Sequence, residues 1–214
     1  MIYNLMNVNA TAAAQFSKYG IKYLYHMTHK KNLPSILEHG LINHYNAHSD
    51  GYNKKDIASR KVMALREEVI IPDYCLPVTS FVPFYFRIKN AMLYAIAESS
   101  IQDDIVILCY DPNLLLKEET VYTDGNAACK GTKFFSDISD LNKLDWKCLN
   151  ARYWGEFPDG KRKKMAEVLV GYKVSNKYLQ KICCNSYNTY SMVKKTLLHS
   201  KFKPEVEINR SLYF

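Results

Sequence analysis

The run Met165–Gly171, MAEVLVG, holds one carboxylate among residues that otherwise carry apolar side chains or none. In a strand, successive side chains alternate, so Ala166, Val168 and Val170 make one uninterrupted face while Met165, Glu167 and Leu169 make the other. An ionised carboxylate left unpaired in an apolar site is costly by several kcal/mol. A chain with this segment must therefore fold so that Glu167 meets a partner, water or a ligand.

At 214 residues and 48% hydrophobic content, the chain can bury one large core. We expect a single domain over 1–214, with 1–20 as a peripheral N-terminal segment. Lys and Arg number 29 against 21 acidic residues, a net +8, which favours an anionic partner, nucleic acid first. The 17 tyrosines add faces on which bases can stack. None of the six cysteines forms a CxxC pair, and two are adjacent, so neither zinc ligation nor a disulfide framework is indicated. The N-terminal stretch lacks a basic start and a long apolar core, and no apolar run approaches a membrane span. A soluble, cytoplasmic, monomeric protein with no membrane association is the expectation.

Short strands and helices interleave irregularly along the chain. KYLYHMT (22–28) predicts a strand, and LPSILEHG a helix ended by Gly40. A polar stretch follows to about Ser59, and a loop of that length is usually functional or disordered. DIASRKVMALREE predicts a helix with Asp56 as cap and Ile57, Val62 and Leu65 partly on one side. VTSFVPFYFRI predicts a strand with an edge or bulge at Pro83, then NAMLYAIAESS a helix. DIVILCY and ETVYTDG predict strands, 187–199 a helix, and PEVEINRSLYF a closing strand. The class is α+β.

No GxGxxG, GxxxxGK[ST] or GxSxG is present, which removes the Rossmann loop, the P-loop and the hydrolase elbow. His26 and His29 lie an odd offset apart on a strand and so on opposite faces, against a metal pair. His39, His44 and His48 sit near or in the polar stretch, where solvated histidines are the plain reading. No metal is expected.

Four segments in fixed order, YHMTHKKNLPSILEHGL (25–41), FVPFYFRIKNAMLYAI (81–96), VYTDGNA (121–127) and KKMAEVLV (163–170), together with LDWKCLNARYW, resemble the DarT family of toxin enzymes. That resemblance runs from about residue 21 to the C-terminus. It implies an ADP-ribosyltransferase fold, a split mixed β core with peripheral helices holding NAD as co-substrate without a Rossmann element. It further implies transfer of ADP-ribose to a base of single-stranded DNA, thymine first and guanine second, with a macrodomain antitoxin, DarG, as partner. An ADP-ribosyltransferase acting on protein or RNA, and a non-catalytic nucleic-acid-binding module, are the alternatives.

Glu167 matches the family's catalytic glutamate, and the chemistry agrees. Breaking the nicotinamide–ribose bond builds positive charge on the sugar, which a fixed carboxylate stabilises more than it stabilises the ground state. His26, His29 and Asn32 occupy the family's first NAD-contact block, although a histidine satisfied by backbone at a strand end is the alternative for His29. Tyr85 is a candidate to stack on nicotinamide, or a core residue. The family's active-site arginine falls on Arg66, with Arg60 as the other choice and a solvated helix arginine as the plain one. Relatives carry a glycine-rich linker just after this arginine, where this chain has VIIPDYCLPVTS. The stretch 43–59 corresponds to the element that closes over NAD. Lys54, Lys55, Lys61, Lys161, Arg162, Lys163 and Lys164 are the candidate phosphate contacts for DNA.

Overall fold

The computed structural model describes residues 2–214, with side chains from residue 10 onward; Met1 and the side chains before residue 10, part of the segment expected to be peripheral, lie outside the described residues. In chain order the strands are β1 (Leu24–His29), β2 (Leu41–Ile42), β3 (Ile70–Ile71), β4 (Leu76–Pro77), β5 (Val82–Tyr85) and β6 (Ile105–Tyr110). They continue with β7 (Thr120–Thr123), β8 (Phe134–Phe135), β9 (Glu167–Val170), β10 (Lys173–Val174), β11 (Leu179–Cys184) and β12 (Glu205–Ile208). Eight of them make one sheet in the order β12-β11-β6-β1-β5-β9-β7-β8, and two small two-stranded pairs, β10-β2 and β3-β4, stand apart from it. All neighbours in the large sheet run antiparallel except β11 and β12, so the sheet is mixed and the class is α+β as expected. The segment VIIPDYCLPVTS holds the β3-β4 pair.

Continuity of the sheet fails at one seam. β1 pairs with β6 over six residues but meets β5 only through Tyr25 and Tyr85. Pro83 explains part of this. Its carbonyl oxygen accepts a bond from His26 Nδ1 at 2.8 Å, so the carbonyl points toward β1, and the nitrogen of a strand residue points to the same side as its carbonyl. That nitrogen has no hydrogen to donate. The edge expected at Pro83 is thus an internal one, a split core.

Strand alternation sorts the chain's apolar residues into two layers. Leu24, Phe84, Leu108, Val168 and Val170 share one face, covered by α1 (Ile2–Tyr19), α2 (Leu33–His39) and the C-terminal helix Tyr187–Leu198. Met27, Tyr85, Ile105 and Ile107 share the other, against the helix Ala91–Glu98. Each such buried Leu, Ile or Val contributes roughly 1.5–3 kcal/mol relative to exposure. The N-terminal helix is more integrated than the sequence suggested, since Ala12 and Phe16, one turn apart, are buried in the first layer.

The polar stretch 41–59 is not a bare loop. It contains α3 (His44–Ser49), capped by Asn43, whose side chain accepts from Asn46 N. The helix after it is α4 (Arg60–Glu68), capped by Ser59 rather than Asp56: Ser59 Oγ accepts from Val62 N at 3.2 Å. Val62 and Leu65, expected to fall partly on one side with Ile57, are exposed, and the buried residue of α4 is Arg66.

Candidate active site

Glu167 opens β9 and stands opposite Tyr85 of β5, one strand from the seam. Its backbone is fixed by Thr123, whose Oγ1 accepts from Glu167 N at 3.0 Å and donates to Gly125 O at 2.6 Å. The carboxylate has no exposed surface. Oε1 accepts from Arg66 Nη1 at 3.0 Å and from Ala127 N at 2.9 Å, while Oε2 accepts from Arg66 Nη2 at 2.9 Å. Here is the partner the lone acid requires. A carboxylate offers about four lone-pair sites, so these three donors leave Oε2 one acceptor position for a hydroxyl.

Arg66 stands between this carboxylate and a cavity. It lines the cavity together with His26, Asn32, Phe81, Tyr85 and Met92, and residues of the segment from α3 to Ala58 form another part of the wall. Burial works against the guanidinium's charge, but the facing Glu167 overrides it and holds the group above its usual range. Arg60, the alternative choice, is exposed at the start of α4. Tyr85 lies at the cavity wall with its hydroxyl 3.3 Å from Met92 Sδ; burial, then the neighbouring Glu167, push its phenol up, so it stays neutral.

His26 lies at the seam. Its only bonded acceptor, Pro83 O, cannot donate, so Nδ1 carries the proton. Burial pulls its pKa below the usual imidazole value, against the opposing Pro83 carbonyl. The ring is therefore neutral at pH 7 with Nε2 as an acceptor. Asn32 spends its amide on the chain: Oδ1 accepts from Lys54 N (2.8 Å) and Lys55 N (2.9 Å), and Nδ2 donates to Lys55 O (2.9 Å) and Thr28 Oγ1 (3.0 Å). It fixes the cavity wall rather than presenting a free amide.

Four of the expected site residues have other partners in the structure. His29, read as an NAD contact, is absent from the cavity lining. It caps the turn Lys30–Asn32, with Nδ1 accepting from Lys31 N at 3.1 Å and Nε2 3.6 Å from Asp104 Oδ2, which is the alternative of a histidine satisfied at a strand end. Lys164, read as a phosphate contact, is buried with Nζ on the carbonyls of Leu149 (2.7 Å) and Ala151 (2.6 Å). Arg162 and Lys163 are likewise engaged, Arg162 by Asp124 at 2.7 Å and by Asp159, Lys163 by Asp145 at 3.0 Å. Lys54, Lys55, Lys61 and Lys161 are exposed. Thr123 and Ala127, which shape the carboxylate's surroundings, were not singled out from sequence, yet both fall inside VYTDGNA.

A mixed sheet split at one seam, with a buried glutamate beside a cavity at that seam, agrees with the ADP-ribosyltransferase fold that the family resemblance implies. Comparison with known proteins narrows the class. The family model described as "ssDNA thymidine ADP-ribosyltransferase, DarT" matches residues 25–214, and the chain belongs to the DarT family. It is 28% identical over 201 residues to a DNA ADP-ribosyl transferase of Thermus sp. (strain 2.9), spanning 89% of this chain and 95% of the relative. It is 29% identical over 177 residues to a transferase–glycohydrolase fusion protein of Thermosipho africanus, where the match spans 81% of this chain and 45% of that longer protein. The structure of Thermus sp. 2.9 DarT in complex with ADP-ribosylated ssDNA superposes with a TM-score of 0.84 at 27% identity, covering 91% of this chain and 97% of the other. The same protein in complex with NAD+ gives 0.79 over 91% and 98%.

Proposed function

We propose that the chain is a toxin that transfers ADP-ribose from NAD to thymine in single-stranded DNA, with guanine as second choice, and releases nicotinamide. The observation that carries this reading is the fully buried carboxylate of Glu167, held by Arg66 at the wall of the seam cavity. NAD occupies that cavity, and Tyr85 and Met92 offer the nicotinamide an apolar wall. His26 Nε2 accepts from a ribose hydroxyl. The free lone pair on Oε2 of Glu167 accepts another, once Arg66 shifts to admit it. As the glycosidic bond breaks, its electron pair leaves with neutral nicotinamide and positive charge grows on the sugar, where the carboxylate is already in place. Thymine in DNA carries one ring N–H; that nitrogen forms the new bond to the sugar carbon and its proton passes to solvent, so each transfer releases one nicotinamide and one proton. The guanidinium of Arg66, released from one carboxylate bond, favours the deprotonated base.

A single strand suits this chemistry, since a stacked and paired base cannot bring its ring nitrogen to a buried site. Exposed Lys54, Lys55, Lys61 and Lys161 supply the phosphate contacts. A DNA target implies a cytoplasmic protein, and no described helix is long and apolar enough to cross a membrane. A DarG-type glycohydrolase as antitoxin partner is supported by the Thermosipho africanus protein, in which the two activities named in its description share one chain.

Intact-mass analysis of a mixed-sequence oligonucleotide incubated with NAD and protein tests the proposal. An ADP-ribose increment on the DNA supports it; an increment on protein or RNA alone, or binding without any increment, refutes it.

A further inference from the structure

Outside the chemistry just described, three metal-binding side chains converge. His44 and His48 sit one turn apart on the same face of α3, and their ring centroids are 4.3 Å apart. Asp56 comes from the far end of the following loop. Its Oδ2 lies 3.0 Å from His48 Nε2, its Oδ1 lies 3.9 Å from His44 Nδ1, and one ligand atom from each residue falls within 4.8 Å of the others. Donor atoms around a tetrahedral zinc, at about 2.0–2.2 Å from the metal, stand roughly 3.3–3.6 Å apart. The two measured pairs fall on either side of that range, through different oxygens of Asp56, so small side-chain shifts would bring the triad to it.

We propose that His44, His48 and Asp56 bind one divalent transition-metal ion of the zinc type, which staples α3 to the segment before α4. Two imidazoles and a carboxylate leave a fourth position for water, and this donor set selects zinc, cobalt or nickel over magnesium and calcium. Asn53 supports the arrangement: its Nδ2 lies 2.8 Å from His48 Nε2 and also bonds Asp56 Oδ1. With the metal bound, that amide gives up both contacts to the ion. The consequence is mechanical. His44, Asn53 and Asp56 all line the seam cavity, and Asn32 already ties Lys54 and Lys55 to β1's end. A metal at the triad fixes the other end of the same wall and so holds the cavity's cover in one position. The ion takes no part in the bond-breaking step, and the site stands whether or not the proposed reaction is correct.

The test uses the full chain, reduced and stripped with a chelator. Isothermal titration with zinc chloride should show one equivalent bound, with magnesium chloride giving no heat. Cobalt(II) should give visible d–d bands of a nitrogen–oxygen site without the intense near-ultraviolet thiolate band, which separates the triad from the six cysteines. His44→Ala/His48→Ala should weaken zinc by more than about 100-fold, beyond the roughly 10- to 100-fold that loss of a supporting hydrogen bond costs, while far-ultraviolet circular dichroism stays unchanged. Zinc should also slow proteolysis between residues 49 and 59 in the parent protein. Absence of zinc uptake, a thiolate band with cobalt, or undiminished affinity in the double variant overturns the proposal. If the double variant does not fold, the cobalt spectrum and zinc-dependent protection of the parent protein decide.

Discussion

Arg66 and Glu167, 101 residues apart in the chain, face each other through two parallel N–H···O bonds of 3.0 and 2.9 Å, the carboxylate closed to solvent and the guanidinium at the cavity wall. The pair has two consequences that pull in opposite directions. It fixes the carboxylate where the proposed reaction needs it, and under that proposal it must loosen before a ribose hydroxyl can reach the carboxylate.

Glu167→Ala, which sequence reasoning alone would treat as a silent change to the fold, should be destabilising. Removing one member of a buried ion pair leaves the other uncompensated, at about 3–5 kcal/mol. The sharper probe is Glu167→Gln, which keeps the shape and one acceptor oxygen. We expect it to remain folded by circular dichroism and to lose DNA modification in the oligonucleotide mass assay; full transfer by this variant removes Glu167 from the chemistry.

A double-mutant cycle over Arg66→Leu and Glu167→Leu should show strong coupling. Each single variant strands a buried charge, whereas the double variant strands neither, so its loss in urea unfolding should fall short of the sum of the singles by about 1–3 kcal/mol. Additive losses would mean that the two side chains do not share the bonds described.

Asn32→Ala removes four hydrogen bonds at once, three of them to the backbone of Lys54 and Lys55. Each buried group left unsatisfied costs about 1–3 kcal/mol, although the loop can recover part by meeting water. Faster proteolytic cutting near residues 50–59 and a raised KM for NAD, with a smaller change in kcat, is the expected pattern. A variant with an unaltered cutting pattern would show that Asn32 does not hold the wall.

The basic residues divide into two groups that salt titration can separate. Neutralising Lys54, Lys55, Lys61 or Lys161 should weaken single-stranded DNA, and each phosphate left without its lysine should lower the slope of log affinity against log salt by roughly 0.7. Lys164→Met should instead lower thermal stability and leave that slope unchanged, because its ammonium serves the carbonyls of Leu149 and Ala151.

Acid should destabilise the protein well above the carboxylate range. Burial depresses the pKa of His26 and of His29 in the folded chain. The unfolded chain therefore binds more protons below about pH 6.5. Their contribution is complete above that value and is lost as pH falls toward the lower folded values. Thermal melts should show Tm declining from pH 7 to pH 5, with a shallower decline in His26→Gln.

Glu167 was legible because an isolated charge in an apolar run demands an explanation, and strand periodicity alone places it on the opposite face from Val168 and Val170. Arg66 was not legible in that way. Helical periodicity put Val62 and Leu65 only partly on one side, and the structure exposes both while burying the arginine, because a facing carboxylate from a distant strand outweighs local hydrophobicity. Only family resemblance singled it out. His29 was assigned to NAD by family resemblance alone; strand geometry already sends its ring to the face opposite His26, and the turn at Lys30–Asn32 recruits it as a cap. Runs of positive charge are equally ambiguous in sequence, since the acids that neutralise Arg162 and Lys163 include Asp124 and Asp145, 38 and 18 residues away.

Pro83 gives the seam permanence. An ordinary residue at that position would offer β1 an amide hydrogen, and the two strands would have a reason to zip together when nothing lies between them. With an imino nitrogen there, β5 lacks one of the donors it would turn toward β1, and the pairing stays confined to Tyr25 and Tyr85. The cleft proposed for NAD is thus kept ajar by covalent chemistry, at a residue given no part in the proposed reaction.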